Sequence, residues 1–155
     1  MEIQLWRELL EPYQLADELM VKFEYLIKAY RNAGKYSPIE EVNGRVKKIS
    51  SILEKMQKKK IQFEDIEKKI EDIAGIRIIC QFVEDIYTVV DIIKNRSDMT
   101  VKAEKDYINN TKPSGYRSYH LIVYYDVMTL TGTKRINVEI QIRTFLGYYR
   151  TFITV

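Results

Sequence analysis

A chain of 155 residues, 46% hydrophobic and 30% charged, has enough apolar material for one packed core and too much for a disordered segment. No apolar run reaches the roughly 18 residues needed to cross a bilayer, and the opening MEIQLWRELLEPYQ carries early acids and no signal-type hydrophobic stretch. The formal net charge is a mild +3, and the single cysteine, Cys80 in GIRIICQFV, reads as a buried thiol in a reducing, cytoplasmic setting.

Leu15, Leu19, Phe23, Leu26 and Tyr30 recur at helical spacing and predict an amphipathic helix over 13–33, opened by Pro12 and closed by Gly34. Two signals compete in SPIEEVNGRVK. Ser37 to Glu40 has the form of a capping box, whereas Val42 and Val46 alternate with Asn43, Arg45 and Lys47 around Gly44. The alternation favours a strand, which sets Arg45 and Lys47 on one face. Ile49, Ile52, Leu53 and Met56 mark one side of the next helix, flanked by Lys48, Lys55 and Lys59. A short helix is expected over 63–71, a buried strand over 76–83 and a helix over 84–95 with acids in its first turn. Strands follow over 100–107, 116–128 and 134–143, the last two joined by the hairpin signal TLTGT. In the last strand Ile136, Val138, Ile140 and Ile142 share one face, and Asn137, Glu139, Gln141 and Arg143 share the other. With no repeat or linker, the chain reads as one α+β domain.

A polar strand face of Asn-Glu-Gln-Arg fits either the solvated side of an antiparallel sheet or a site. Asp72, in IEDIAGIRI, adds a second carboxylate at a helix-to-strand junction, where Gly75 permits close backbone approach and Arg77 starts the buried strand with a charge. Two carboxylates brought together suit Mg²⁺, whose octahedron is completed by water and phosphate oxygens. Arg45, Lys47 and Lys55 are the natural phosphate partners. They belong to a stretch, 45–60, with seven basic residues and one acid, which reads as an anion site or a solvated flank. KPSGYRSYH, residues 112–120, gathers Lys112, Tyr116 and the chain's one histidine, His120, around a tight turn. Carboxylates for a metal, cations for phosphate and an aromatic loop for a base together describe nucleotide phosphoryl transfer.

GRVKKISSILEK, DIAGIRIICQF, DYINNTKPSGYRSYH and VEIQIRT, in that order, resemble the RelA/SpoT-type (p)ppGpp synthetase domain over about residues 13–144. With no hydrolase or regulatory segment alongside, the pattern is that of the small alarmone synthetase branch. The resemblance implies a mixed, mainly antiparallel five-stranded sheet flanked by helices, related to the nucleotidyltransferases. It implies transfer of the β,γ-pyrophosphate of ATP to the 3′-hydroxyl of GDP or GTP, with release of AMP. It also implies residue roles. Arg45 and Arg77 sandwich adenine, while Lys47 and Lys55 hold the triphosphate. Asp72 and Glu139 bind Mg²⁺, and Glu139 takes the proton of the attacking hydroxyl. Tyr116 stacks on guanine, Lys112, Tyr107 and His120 face the acceptor's phosphates and ribose, and Gln141 lies behind the metal or on the acceptor side.

The synthetase domain is expected over 1–144, with 145–155 a divergent tail. There the family continues into C-terminal helices through a motif such as FWATIEH, whereas this chain reads FLGYYRTFITV. One permitted coding string for residues 145–152, read one base later, spells FWATIEH, so the tail is expected to be a frameshifted remnant. The family's homotetramer is in doubt for such a chain. Two other readings stand beside the enzyme: a nucleotide- or single-stranded-RNA-binding module using residues 45–60 and the tyrosine-rich loop, and an inert remnant that folds poorly. Metal-assisted transfer needs Asp72 and Glu139; RNA binding needs neither.

Overall fold

The computed structural model describes residues 2–110 and 117–145. The helix expected over 13–33 is α2 (Asp17–Asn32), which starts later than expected and follows a further helix, α1 (Glu2–Gln14), that the periodicity did not predict. Pro12 lies inside α1 and does not open a helix. The break comes at Leu15 and Ala16, where short i to i+3 bonds tighten the chain: Ala16 N donates to Tyr13 O at 3.1 Å and Glu18 N to Leu15 O at 3.2 Å. The end of α2 is as expected. Gly34 adopts φ +69°, Gly34 N donates to Arg31 O, and Lys35 N reaches back to Tyr30 O at 2.9 Å.

Strand β1 (Glu41–Val46) follows, as the alternation favoured. The capping-box reading fails because Ser37 Oγ spends both its bonds on Ile39, accepting from its N–H and donating to its carbonyl. Lys47 lies one residue past β1, and its N–H still bonds Ile73 O at 2.6 Å. After α3 (Ile49–Lys59), the helix expected over 63–71 shrinks to a 3₁₀ turn, Phe63–Asp65, and a single turn, α4 (Ile66–Lys69). Strand β2 (Ala74–Cys80) starts and ends earlier than expected, and Val83 opens α5 (Val83–Lys94). Asp85 caps that helix by accepting from Phe82 N at 3.2 Å. The chain then runs through β3 (Met99–Asp106), β4 (Tyr119–Thr129) and β5 (Gly132–Thr144).

Among the described residues these strands form one sheet ordered β1-β2-β5-β4-β3. Only the central β2–β5 pairing is parallel, so the sheet is mixed and mainly antiparallel, as expected. One face is the core. Ile76, Ile78, Leu121, Val123, Val138, Ile140 and Ile142 are buried there with Leu19 and Phe23 of α2 and Ile86, Val89 and Ile93 of α5. Burying such side chains contributes about 1.5–3 kcal/mol each. Cys80 is fully buried. Burial, then the nearby Asp85 and Glu40 charges, push its thiol up to about 12, so it is an inert core group.

A polar network ties α2 to this face. Lys22 Nζ donates to Tyr125 Oη at 2.8 Å and to Asp98 Oδ2 at 3.0 Å. Tyr125 Oη donates to Glu18, and Arg96 grips Asp98 with two bonds of 2.8 Å. The other face of the sheet is polar at its centre. Of the tail expected to diverge, 145–155, all but Phe145 lies outside the described residues.

Candidate active site

Two adjacent rows of side chains cross the polar face in strand register. The first runs Asn43, Arg77, Gln141, His120, Lys105, one residue from each strand. The second runs Arg45, Gly75, Glu139, Ile122, with Ala103 of β3 paired to Ile122 beyond a bulge at Val101. Parallel pairing of β2 with β5 therefore places Arg77 beside Gln141 and Gly75 beside Glu139, though these strands are far apart in sequence.

Asp72 sits in the bend between α4 and β2. Lys47 Nζ lies 2.9 Å from its Oδ2 and Lys55 Nζ 3.0 Å from its Oδ1. Burial pushes the Asp72 carboxyl up, but the two ammonium groups outweigh burial and hold it below the usual carboxylate range. The sequence assigned these lysines to phosphate and this aspartate to metal, and the fold pairs them with one another.

Along β5 a second chain of polar groups forms. Arg143 Nη2 donates to Gln141 Oε1 at 2.5 Å, and Gln141 Nε2 donates to Glu139 Oε1 at 2.6 Å. The face predicted to be either solvated or functional is thus partly roofed. Asn137 and Arg143 are buried, and Asn137 Nδ2 donates to the Glu67 carbonyl of α4 at 3.2 Å. At the other end, Tyr107 and His120 meet edge to face with ring centres 5.2 Å apart. Tyr107 N donates to Ser118 O at 2.9 Å.

Two cavities open on this face. One, of about 230 Å³, is lined by Arg45, Asp72, Gly75, Arg77, Glu139 and Gln141, together with Asn43, Gly44 and Ile76. The other, of about 240 Å³, is lined among others by Lys55, Asp72, Tyr107, His120 and Glu139. Asp72 and Glu139 belong to both, so the two carboxylates stand where the cavities meet.

The structure thus brings together Arg45, Lys55, Asp72, Arg77, Tyr107, His120, Glu139 and Gln141. Lys47 lines neither cavity but joins them through Asp72. Lys112 and Tyr116 lie outside the described residues. Sequence reasoning missed Asn43, Lys69 and Lys105, which also line the cavities with Lys59 of the basic stretch 45–60. Lys105 had a signal, since it stands two residues before Tyr107 at the end of a strand. Gly75 differs from expectation: a Cβ there would sit 3.9 Å from Arg45 Cγ and from Glu139 O, ordinary contact distances. Its use is open space and not backbone approach.

Among the described residues, no group of three or more histidine, cysteine or acidic side chains is disposed to hold a metal. Two carboxylates at the junction suit Mg²⁺ nonetheless, because that ion commonly takes one or two carboxylates and completes its shell with phosphate and water. The described helices include none long and apolar enough to cross a membrane.

Comparison with known proteins gives the same picture. The profile of the region found in RelA/SpoT proteins matches residues 44–148. GTP pyrophosphokinase YjbM of Bacillus subtilis (strain 168) is 48% identical over 145 residues, covering 93% of this chain and 68% of that protein. A GTP pyrophosphokinase family protein from Streptococcus pneumoniae superposes with a TM-score of 0.92 at 48% identity, over 96% of this chain and 73% of that one. The small alarmone synthetase 1 of Bacillus subtilis, solved bound to its product pppGpp, superposes with a TM-score of 0.89 at 46% identity, over 96% of this chain and 78% of that one. Motif order, sheet topology and these likenesses agree: the chain belongs to the RelA/SpoT family.

Proposed function

We propose that this chain is a small alarmone synthetase, a GTP pyrophosphokinase that moves the β,γ-pyrophosphate of ATP onto the 3′-hydroxyl of GDP or GTP. The observation that carries the reading is the pair of cavities meeting at Asp72 and Glu139, one rimmed by two arginines and the other by Tyr107 and His120. Two nucleotides laid in these cavities bring their reacting ends to the shared carboxylates, which converts a bimolecular encounter into a positioned one.

In the first cavity the guanidinium planes of Arg45 and Arg77 hold the adenine of ATP by stacking. The triphosphate takes Lys47 and Lys55 from Asp72, so the ion pairs seen here exchange for phosphate contacts of the same sign. In the second cavity His120 and Tyr107, with Lys112, hold the acceptor's ribose and phosphates, and Tyr116 stacks on guanine. The acceptor's 3′-oxygen then attacks the β-phosphorus. The bond from that phosphorus to the α,β-bridging oxygen breaks, AMP leaves, and Glu139 receives the hydroxyl proton as general base. Mg²⁺ held by Asp72 and Glu139 supplies neutralisation of the charge on the transferred group. Lys47 and Lys55 share that electrostatic task.

Incubating the purified chain with labelled ATP, GDP and Mg²⁺ and separating the products tests the reading. Guanosine tetraphosphate and AMP are expected in equal amounts from the parent and not from Glu139→Gln, which still binds nucleotide. Equal product from both would remove Glu139 from the mechanism, and no product from the parent would overturn the assignment.

A further inference from the structure

We infer that Arg143 is a positioning residue: it fixes the Gln141 amide so that its NH₂ group, and not its oxygen, faces Glu139. The inference rests on the synthetase reading of Glu139.

Arg143 lines neither cavity and is 6% exposed, so it is placed to act through a neighbour and not on a nucleotide. Its Nη2 lies 2.5 Å from Gln141 Oε1, and Gln141 Nε2 lies 2.6 Å from Glu139 Oε1. The three residues alternate along one strand, so their side chains stand on one face in the order Glu139, Gln141, Arg143. A glutamine amide is nearly symmetric in shape and has no steric preference between its two orientations. The chemistry of its neighbours decides. Guanidinium carries only donors and a carboxylate only acceptors. With Arg143 on one side and Glu139 on the other, a single orientation satisfies both contacts, and the reverse sets oxygen against oxygen and N–H against N–H.

The outcome is a fixed division of labour at Glu139. Its Oε1 is engaged by the amide, which leaves Oε2 and the remaining lone pairs of Oε1 for the acceptor hydroxyl and the cation. Without Arg143 the amide loses the anchor on its oxygen, so it still offers its NH₂ group to Glu139 but no longer fixes where that carboxylate points. Arg143 itself lines neither cavity and the cationic and aromatic side chains that hold the nucleotides are untouched, so the loss should fall mainly on turnover.

Arg143→Met keeps the length of the side chain and removes its donors, and Arg143→Lys restores a donor-only group. For Arg143→Met, kcat should fall on the order of 10-fold to 100-fold, with KM for ATP and for GDP within about twofold, and Arg143→Lys should recover a large part of the loss. Arg143→Met combined with Gln141→Leu should cost no more in kcat than Gln141→Leu alone, because the effect of Arg143 on turnover runs through Gln141. Additive losses, or a parallel rise of both KM values, would overturn the inference. The Gln141 side-chain amide protons provide a readout independent of activity. In the parent they should exchange slowly in the NMR spectrum, and in Arg143→Met quickly; unchanged exchange would also overturn it. Should Arg143→Met melt below the assay temperature, parent and variant are compared at a lower temperature where both are folded, and undiminished kcat together with unchanged exchange there counts as refutation. A parent chain that makes no product removes the synthetase reading, and the amide signal then decides the positioning alone.

Discussion

Arg45 and Glu139 flank Gly75 in one row of the sheet, each its register partner on the opposite side. The gap above the glycine is floor space in the first cavity, since a Cβ there touches its neighbours only at ordinary distance. Gly75→Ala should fold and bind ATP nearly as the parent does. Gly75→Leu should also fold, because the added atoms point into the open cavity, yet weaken an ATP analogue by on the order of 10-fold, or about 1.4 kcal/mol. Titration calorimetry distinguishes the two, and unaltered affinity in the leucine variant would place adenine elsewhere.

Both oxygens of Asp72 are engaged by lysines. A divalent cation arriving alone must compete with two ammonium groups. Lys55→Met should therefore tighten binding of Mn²⁺ by itself about fivefold, the equivalent of roughly 1 kcal/mol for one partly exposed ion pair. Electron paramagnetic resonance of free Mn²⁺ measures this without any turnover. Identical Mn²⁺ affinity in parent and variant would rule out Asp72 as a clamped ligand.

Asp98 gives the pH dependence. The two bonds from Arg96 pull its carboxyl down most strongly, burial opposes them and Lys22 adds to the pull, leaving it at about 2 from an ordinary 3.8. A depressed carboxylate stabilises the fold above its unfolded value and loses that contribution as pH falls through the folded one. The window is thus about pH 4 down to about pH 2, and the amount is roughly 2 kcal/mol at most. Urea midpoints at pH 5 and pH 2.5 should differ less in Asp98→Asn than in the parent. The same acid-induced drop in both would dismiss this ion pair as a source of stability.

Tyr125 is the hub between α2 and β4. Its hydroxyl accepts from Lys22 and donates to Glu18, both from the helix. Tyr125→Phe leaves the packing and removes the hub, so stability should fall about 1–3 kcal/mol, with nucleotide affinity unchanged because the network lies on the core face. A loss of ATP affinity would instead couple the two faces of the sheet.

The strand pattern was legible because period-two alternation in Ile136 to Arg143 separates a core face from a polar one without help from the rest of the chain. Gly34 was legible for a similar reason, a local conformational demand met at φ +69°. Pro12 misled, because proline favours the first turn of a helix, where its missing N–H costs nothing, yet here it stands in the last turn of α1 and the helix breaks only at the tight bonds after Tyr13. The site was legible as a set of residue types and not as contacts. Nothing in the spacing of Lys47, Lys55 and Asp72 states that they pair, since β1, α3 and the approach to β2 meet only in the folded sheet. Arg143 stood on the predicted polar face, but that α4 covers part of that face depends on a backbone carbonyl, Glu67 O, which no side-chain pattern reveals.

The central strand of the sheet, β5, is also the last strand among the described residues. While this protein is being made on the ribosome, β1 and β2 emerge first and β3 and β4 much later, and neither pair can join the other until residues 132–144 arrive to lie between them. Long-range pairing of this kind is slow, and its exposed edges are prone to association while they wait. Glu139 rides on that closing strand. A nascent chain therefore carries no assembled reaction centre at any earlier stage, and the capacity for chemistry arrives in the same event that seals the core.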